Sequence, residues 1–398
     1  MFFQILISIL LGIFVGVLTG LLPGIHTNLV AAVLLSFSAF LLEYSNPLNL
    51  SAFIVSVGIT HSFVDLIPSI FFRAPDSDSV MTVLPGHELL LRGFGFEAVK
   101  LAVTGALLSS IAAIIILPIF FFSISFIYKY VKEIIPFAII AMLIFLFWRE
   151  KNVLSAILVF VLSGILGLIS LDKFNEPLLP LFSGIFGASG IILSMLRKEN
   201  IPRQQKTDLL HLKNSELGKT LLGSILSSAF IILFPTLGPS QASALFSSFF
   251  KDMKSYSYLV FTAGISSVDF LFSLAALFTI DKARNGAVQV ISELMKVNWE
   301  EFIVLVLVAL IVCCIATILT LNLASIFVDL VNKINYFKIN IFILSFIFLI
   351  VFFISGSAGV LLLIVSTLLG LLAPLINVSR SNAMGCLIIP FLIGNLFK

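Results

Sequence analysis

The sequence is dominated by long apolar runs separated by short polar or Pro/Gly-containing stretches. A helix needs about 20 apolar residues to cross about 30 Å of hydrocarbon, where every backbone polar group must be satisfied internally. Hydrophobic residues make up 60% of the chain and charged residues 11%, against about 25% charged residues in soluble domains. The sequence therefore predicts an all-α, multi-pass protein of the cell membrane, in contact with the lipid bilayer. The runs that span or nearly span are 2–22, 50–72, 97–122, 134–148, 153–171, 178–196, 221–235, 256–280, 302–323, 339–354, 359–373 and 386–397.

Charge and motif content narrow the function classes. The net charge of +3 is small and dispersed, which argues against a nucleic-acid partner. The three cysteines lie in apolar runs without a CxxC or Cys/His cluster, so we expect no metal site and no cofactor. The sequence contains no GxxxxGK[ST], HExxH or GxSxG pattern, which argues against a P-loop ATPase and these hydrolases. Run 2–22 has no basic n-region and no A-x-A site, so we interpret it as a retained first helix.

Two short apolar segments each follow a break made of proline and glycine. Segment 29–42 follows Pro23 and Gly24, and segment 242–250 follows the stretch 235–239. At about 1.5 Å per residue, neither segment is long enough to cross the bilayer. Short, interrupted segments at corresponding places in a chain predict discontinuous helices around a substrate site.

The order of features in residues 1–196 recurs in residues 220–398. The motif SFVDL at 62–66 matches SSVDF at 266–270, and each is followed by a polar stretch and then a long apolar run. We predict two homologous membrane repeats joined by a polar, basic linker at 197–219, with about 12–14 membrane segments in all. The positive-inside tendency places this linker in the cytoplasm. The pattern leaves open whether the repeats are inverted or parallel.

Two aspartates occupy equivalent positions inside apolar runs. Asp65 and Asp269 end the SFVD and SSVD motifs, and His61 precedes Asp65 by one helical turn on the same face. An ionisable residue within a membrane helix costs about 2.5–3.5 kcal/mol, so its default interpretation is functional. We predict that Asp65, Asp269 and His61 couple transport to Na⁺ or H⁺. The alternative is a structural acid that caps a broken helix.

The two Pro/Gly breaks form the predicted substrate site. After the first break, Thr27 or Asn28 is placed to cap the next helix, and a helix N-terminus with free N–H groups attracts an anion. The second break, which contains Pro239, repeats this layout. Ordinary tight turns are the alternative. The substrate-binding residues predicted in the two breaks are Pro23, Gly24, Thr27, Asn28, Gly238, Ser240 and Gln241.

A polar run at 73–87 directly follows the Asp65 helix. Its hydroxyl groups, Asp76 and Asp78 would line a water-filled vestibule if the run lies at membrane depth, where irregular backbone is tolerated only beside a cavity or inside protein. The simpler alternative is a solvated loop. Charges near the ends of other runs, including Glu97 and Arg380, are most simply interfacial.

The motifs in this part of the chain resemble a known family. The sequences GLLPGI at 20–25 and APDSDSVMTVLPGHELLLRG at 74–93 are similar to the large membrane subunit of tripartite tricarboxylate transporters, the TctA-type permeases. That family has an early G-L-x-P-G turn and a P-G-x-x-x-S-x-x-T-x-x-x-G-x-x-x-x-x-x-G loop. The positions that correspond to the loop are Pro75, Ser79 (one place out of register), Thr82, Gly86 and Gly93. The resemblance implies substrate-binding roles for Pro75, Ser79 and Thr82, a citrate-like substrate, and an accessory membrane subunit or binding protein.

Together these features predict a secondary transporter, or permease, for a small organic anion such as a di- or tricarboxylate, coupled to H⁺ or Na⁺. A carrier or flippase for an anionic lipid such as a polyprenyl phosphate is an alternative, because it would use the same helix N-termini. An intramembrane lipid-modifying enzyme would need a nucleophile with a base, or a metal, and the sequence shows no such grouping. A scaffold for other membrane proteins would bury Asp65 and Asp269 without a cavity.

Overall fold

A computed structural model of the chain describes residues 2–22, 27–73, 78–131, 135–148, 150–171, 173–174, 177–196, 202–207, 212–233, 238–247, 249, 253–333 and 336–396. Within these residues every regular element is a helix, which confirms the predicted all-α class. The α-helices are α1 (Phe2–Leu21), α2 (Thr27–Ser36), α3 (Ser38–Leu41), α4 (Pro47–Val64), α5 (Leu66–Phe72), α6 (Val83–Leu91), α7 (Gly95–Val131), α8 (Ile135–Trp148), α9 (Val153–Leu171), α10 (Leu178–Phe182), α11 (Ser189–Leu196), α12 (Asn214–Ile231), α13 (Pro239–Ser247), α14 (Ser255–Ile280), α15 (Gly286–Leu294), α16 (Trp299–Lys333), α17 (Tyr336–Leu375) and α18 (Gly385–Leu396). A 3-10 turn at Val80–Thr82 precedes α6, a π-helix at Ser183–Ala188 joins α10 to α11, and a 3-10 turn at Arg380–Met384 precedes α18.

Eight segments in the described part of the chain are long and apolar enough to cross a membrane, which confirms a multi-pass membrane protein. They are Phe3–Leu21, Pro47–Phe72, Gly95–Tyr128, Val153–Leu171, Leu178–Leu196, Ser255–Ile280, Trp299–Lys333 and Asn340–Leu375. Shorter apolar helices lie at Val80–Leu91, Ile139–Trp148 and Arg380–Gly394. The predicted total of about 12–14 segments included such short pieces and stays a prediction.

The spans differ in how deeply they are buried inside the protein. In the most apolar stretch of Pro47–Phe72, 89% of the residues are buried, and in that of Ser255–Ile280 the share is 78%. The corresponding share for Asn340–Leu375 is 28%. The two spans that carry Asp65 and Asp269 therefore form the centre of the molecule, and the outer helices expose large apolar side chains as lipid-facing helices do.

Helix α1 lies against α4 along a row of glycines spaced four residues apart. An ideal Cβ atom on Gly12, Gly16 or Gly20 would come within 2.8 Å of an α4 side chain. Small residues at this spacing let two membrane helices approach closely. The close approach brings Thr19 of α1 beside His61 of α4, where the Thr19 Oγ1 and His61 Nδ1 atoms are 3.1 Å apart.

Helix α14 is held at the centre by contacts with α7 and α12. An ideal Cβ atom on Gly105 of α7 would lie 2.6 Å from the Val260 carbonyl oxygen, so the two backbones are in close contact. From α12, the Ser224 hydroxyl donates to the Phe261 carbonyl at 2.9 Å, and a further serine binds α14 in the same way one turn later. Small residues and hydroxyl hydrogen bonds are the usual means of fixing helices to one another in lipid.

The first central span is interrupted by a single residue, Asp65, which separates α4 from α5. Pro68 has no N–H group for the Val64 carbonyl, and its ring crowds that carbonyl, so a proline breaks a helix about four residues earlier. The flanking hydrogen bonds persist: the Asp65 N–H donates to His61 at 2.8 Å, and the Ser69 N–H donates to Asp65 at 3.1 Å. The span is therefore interrupted at Asp65 while the flanking hydrogen bonds are kept, a break that was not among those predicted at the Pro/Gly stretches.

A second group of helices contains α9, α10, α11, α17 and α18. Glycines allow close contacts within it: Gly167 of α9 faces the Cys386 backbone, and Gly370 of α17 faces Ile185 in the π-helix. Helix α17 contains a kink at Gly356, whose φ of 67° is readily adopted only by glycine. The π-helix, which directly precedes α11 in the chain, therefore packs closely against α17.

The order and length of the helices are similar in the two halves of the chain. Helices α1, α2, α6 and α7 have 20, 10, 9 and 37 residues, and α12, α13, α15 and α16 have 18, 9, 9 and 35. The central spans Pro47–Phe72 and Ser255–Ile280 have 26 residues each. This order agrees with the predicted pair of repeats, and their homology and relative orientation stay predictions.

Part of the predicted linker 197–219 lies against the helices rather than in solvent. The buried Gln204 side chain accepts a hydrogen bond from the Gly95 N–H at 2.8 Å and donates one to the Leu90 carbonyl at 2.9 Å. Its backbone N–H and carbonyl pair with the Asn332 side chain of α16 at 2.7 and 3.0 Å. Helix α12 begins before residue 220, so the predicted boundary there lies inside a helix.

The prediction of interfacial positions is wrong for two charged residues. Glu97 in the first turn of α7 is 2% exposed and accepts a hydrogen bond from the Thr207 hydroxyl. Arg380, in the turn before α18, is 6% exposed. The end of an apolar run in sequence marks the end of a helix, but it does not tell whether the charge there faces lipid headgroups or a neighbouring helix.

Candidate ion and substrate site

Helix ends from both halves of the chain meet at one small cavity in the centre of the protein. Helix α2 begins at Thr27, α5 begins directly after Asp65, the first 3-10 turn begins after Ser79, and α15 begins after Asn285. The cavity has a volume of about 20 Å³, and roughly 10–15 Å³ is enough for one water molecule. The lining residues are Thr27, Gly58, His61, Ser62, Asp65, Leu66, Asp78, Ser79, Ser266, Phe270 and Asn285.

Asp65 is the acid that the helix break exposes to this cavity. Its side chain is 3% exposed to the outside of the protein, and it occupies the N-cap position of α5 without a capping hydrogen bond from its side chain. The Ser69 hydroxyl lies 3.4 Å from Asp65 Oδ2 and 2.8 Å from the Ser79 hydroxyl. The structure thus shows a helix broken at Asp65, which lines the cavity and whose side chain makes no capping hydrogen bond.

His61 lines the same cavity one turn before Asp65, as the sequence spacing predicts. The Thr19 hydroxyl donates to the Gly16 carbonyl at 3.2 Å and lies 3.1 Å from His61 Nδ1, so the two side chains share a hydrogen bond. The α1–α4 contact therefore orients the ring.

The described part of the polar run 73–87 is helical and mostly buried, so the solvated-loop alternative is wrong for it. Asp78 and Ser79 line the cavity, and the Ser266 hydroxyl of α14 donates to the Asp78 carbonyl at 3.1 Å. Thr82 is buried and binds the Ser79 carbonyl within its own turn. The turn is thereby fixed between the two central spans, and Thr82 supports it without lining the cavity.

Asp269 lies beside the cavity rather than on its wall. It is 8% exposed, and its carboxylate accepts a hydrogen bond from the Asn285 side chain. Asn285 lines the cavity and also caps α15, because its Oδ1 accepts the Ala287 N–H at 2.9 Å. The Ser273 hydroxyl accepts the Asn285 N–H at 2.8 Å and fixes this turn. Asp269 therefore reaches the cavity through Asn285.

The predicted substrate residues fall into three groups. Thr27 lines the cavity, whereas Asn28 is exposed and packs against Gly286 at the start of α15. Pro23, Gly24 and Pro75 lie outside the described residues.

The second break lies beside Asp78. An ideal Cβ atom on Gly238 would be 3.6 Å from Asp78 Oδ1. The Gln241 side chain accepts the Gly238 N–H at 2.8 Å, and Ser240 is fully buried in the first turn of α13. Asp78 thus lies near Gly238 of the second break and lines the same cavity as Thr27, and the substrate roles of the two breaks stay predictions.

Six lining residues had no predicted role: Gly58, Ser62, Leu66, Ser266, Phe270 and Asn285. Ser266 was visible as the first residue of the SSVD motif, and Asn285 follows the Asp269 helix at the start of a polar stretch. The close contact between Gly58 and the Phe270 ring joins residues from opposite halves of the chain. Such a long-range contact leaves no local signal in a single sequence.

Comparison with known proteins agrees with this architecture. A profile of the tripartite tricarboxylate transporter TctA family matches residues 6–385. The chain belongs to this family. It is also 31% identical over 385 residues to an uncharacterised protein of Methanocaldococcus jannaschii, and the alignment covers 92% of each chain. No match was found among solved structures.

Membership of the TctA family confirms the resemblance seen in the sequence and the transporter class. The match extends over nearly the whole chain, so it includes α1 through the turn before α18 and both central spans. Transport, rather than catalysis, is the activity that the family name describes. The name also refers to a three-part system, which is consistent with an accessory subunit.

Proposed function

We propose that this TctA-family protein is a secondary carrier for a small organic anion, a di- or tricarboxylate, driven by Na⁺ or H⁺ bound between Asp65 and Asp78. The observation that carries this proposal is the size and lining of the central cavity. Its volume of about 20 Å³ is enough for a water molecule or a dehydrated monovalent cation.

The chemistry of the lining supports a hard cation. Two acidic residues, Asp65 and Asp78, and the hydroxyl-bearing Thr27, Ser79 and Ser266 are among the residues that line the space. Hard cations favour oxygen ligands of these kinds. A proton would instead be shared by Asp65 and His61, which lie one turn apart. Either ion neutralises an acid whose charge is costly inside a membrane protein.

The substrate anion would bind when the helix ends around the cavity move apart. Helices α2 and α15 begin at its wall and α13 begins beside Asp78, so their positive N-terminal ends favour an anion there. A cation bound at Asp65 and Asp78 removes the repulsion between these acids and the anion. Binding of the cation would therefore precede binding of the carboxylate. This order would couple transport of the carboxylate to transport of the cation.

We include an accessory membrane subunit or binding protein in the proposal because the family takes its name from three-part systems. Delivery by such a partner would raise the local carboxylate concentration at the carrier. The purified membrane chain would still bind its cation, since the residues proposed for that role all belong to this chain.

Thermal stabilisation of the detergent-purified protein tests the proposal without requiring the partners. The panel holds di- and tricarboxylates, acetate, inorganic anions and short-chain polyprenyl phosphates, each with and without Na⁺ and at two pH values. A ligand at about 100 times its Kd adds about 2.7 kcal/mol of apparent stability. We expect a di- or tricarboxylate to stabilise the protein only with Na⁺ or at the lower pH. Stabilisation by polyprenyl phosphates alone would contradict the carboxylate carrier and favour the lipid flippase.

A further inference from the structure

Each of the two central spans has a serine one helical turn after its aspartate. Ser69 follows Asp65 by four residues, and Ser273 follows Asp269 by four residues. The pattern Asp-x-x-x-Ser occurs nowhere else in the sequence. Residues four apart lie on the same face of a helix, so each serine shares the face of its acid. Both serines are fully buried, and neither is among the residues that line the cavity.

Ser69 joins the first acid to the turn that follows it. The Ser69 hydroxyl lies 2.8 Å from the Ser79 hydroxyl and 3.4 Å from Asp65 Oδ2. Ser79 directly precedes the first 3-10 turn and lines the cavity. An ordinary buried serine in a helix binds a carbonyl one turn earlier, as Ser56 of α4 does with Ala52 at 2.7 Å. The Ser69 hydroxyl instead holds a different segment of the chain.

Ser273 fixes the turn after the second acid through the backbone. Its hydroxyl oxygen accepts the N–H groups of Arg284 at 2.9 Å and of Asn285 at 2.8 Å. The Asn285 side chain lines the cavity and donates a hydrogen bond to Asp269. Backbone N–H groups away from water need an acceptor, so removal of the Ser273 hydroxyl would force this turn to move. Asp269 and Ser273 thus hold Asn285 by its side chain and by its backbone.

The two turns form parts of the wall of one cavity, and hydroxyl groups set their positions. The Ser79 turn is held between two spans, because the Ser266 hydroxyl of α14 donates to the Asp78 carbonyl at 3.1 Å on its other side. Loss of the Ser69 contact would therefore weaken the attachment of this turn to α5 and leave its attachment to α14. The size of the cavity consequently depends on buried hydroxyls that lie behind its wall.

We propose that Ser69 and Ser273 are positioning residues that set the cation preference of the central site. This inference rests on the proposed function and adds residues that act through others. The preference of an oxygen-lined site for one ion depends on the size of the cavity and on the number and flexibility of its ligands. Each serine fixes one lining residue, Ser79 or Asn285, relative to the acid on its own span. Without these hydroxyls the cavity would widen and discriminate less between ions of different size.

The experiment measures cation binding to the purified full-length chain by titrated thermal stabilisation. The probes are Li⁺, Na⁺ and K⁺, with choline keeping the ionic strength constant, and a pH titration without metal ions. The test variants are Ser69→Ala and Ser273→Ala. Ser56→Ala and Ser227→Ala are matched controls, because both serines are fully buried and each hydroxyl donates to a carbonyl of its own helix at 2.7 Å.

We expect each test variant to bind the preferred cation about tenfold more weakly than the wild type, as loss of a supporting residue predicts. The preference for that cation over the other two should also decrease, because the lining becomes less rigid. If the wild type responds to pH alone, the two variants should shift the midpoint of that response. Both controls should keep the wild-type affinity, preference and midpoint.

A folded alanine variant with wild-type cation affinity and preference would remove that serine from the proposal and leave the cation site intact. A lower melting temperature with unchanged preference would do the same, because a purely structural serine affects stability alone. If an alanine variant is not monodisperse, the cysteine variant at that position decides, because a thiol forms only weak hydrogen bonds. Reduced preference in it supports the positioning role, and wild-type preference overturns it. A wild type that responds to no metal ion and to no change in pH would instead contradict the proposed function.

Discussion

The Asp65 region (α4, α5 and the turn to α6) and the Asp269 region (α14 and the turn to α15) share a short motif but differ in backbone. Three residues after the acid, the first has Pro68 and the second has the fully buried Phe272. The proline breaks the first helix, and α14 continues without interruption. Asp65 consequently lines the cavity, whereas Asp269 reaches it only through Asn285. Similar sequences therefore place one acid on the cavity wall and the other behind Asn285.

The largest effect is expected at Asp65. Replacing it by asparagine removes a carboxylate from the cavity wall while keeping its shape, so cation affinity should fall by about 100-fold. Titration of thermal stability with Na⁺ and with pH measures this change. Asp281→Asn is the control, because Asp281 is an exposed aspartate in the left-handed conformation that asparagine also adopts. Wild-type cation response in Asp65→Asn would remove Asp65 from the coupling site.

Pro68→Ala should make the Asp65 region resemble the Asp269 region. Alanine supplies the N–H group that the Val64 carbonyl lacks, so α4 and α5 can join into one helix. We expect a higher melting temperature and cation affinity reduced by at least about tenfold, because Asp65 would turn away from the cavity. Pro118→Ala is the control, since Pro118 is a proline inside α7 that lies away from the cavity. Unchanged cation affinity would show that the break is not needed to present the acid.

Asp269→Asn should have a smaller effect than Asp65→Asn. Its carboxylate orients Asn285, so its loss should weaken cation binding by about tenfold, as expected for a supporting residue. The same titration of thermal stability with Na⁺ and with pH measures both variants. The decisive quantity is the ratio of their losses in cation affinity. An effect of Asp269→Asn as large as that of Asp65→Asn would mean that the acids act alike and that the difference in backbone has no functional meaning.

Sequence patterns predicted the fold class correctly, and several residues predicted for the site line one cavity, although their roles stay predictions. Apolar run length identified the membrane helices, and the Pro/Gly breaks and the one-turn spacing of His61 and Asp65 placed residues that do line one cavity. These features depend on local chemistry, namely hydrophobicity, proline geometry and helical period. The break at Asp65 has a local signal in the sequence, namely Pro68. The apolar run continues through this position, so run length alone does not indicate the break.

The parts that were missed depend on contacts between distant residues. Arg380 was interpreted as interfacial, and only the packing of the turn before α18 shows that it meets Arg73 over Gly190. The position of Asp78 depends on Ser266 in the other half of the chain. Burial of a charge is decided by the neighbouring helix, and a single sequence carries no record of which helix that is.

The smallest effect is expected where the two regions touch, at Gly58 and Phe270. A methyl group on Gly58 would collide with the Phe270 ring, and overpacking of this kind costs about 1–3 kcal/mol. Gly58→Ala should lower the melting temperature by a few degrees, and Phe270→Leu in the same chain should restore much of the loss, because leucine already follows the acid in the Asp65 region. A double-mutant cycle on melting temperature measures this coupling. If the two substitutions add independently, the Gly58–Phe270 contact does not join the regions, and the cavity is held closed by other residues.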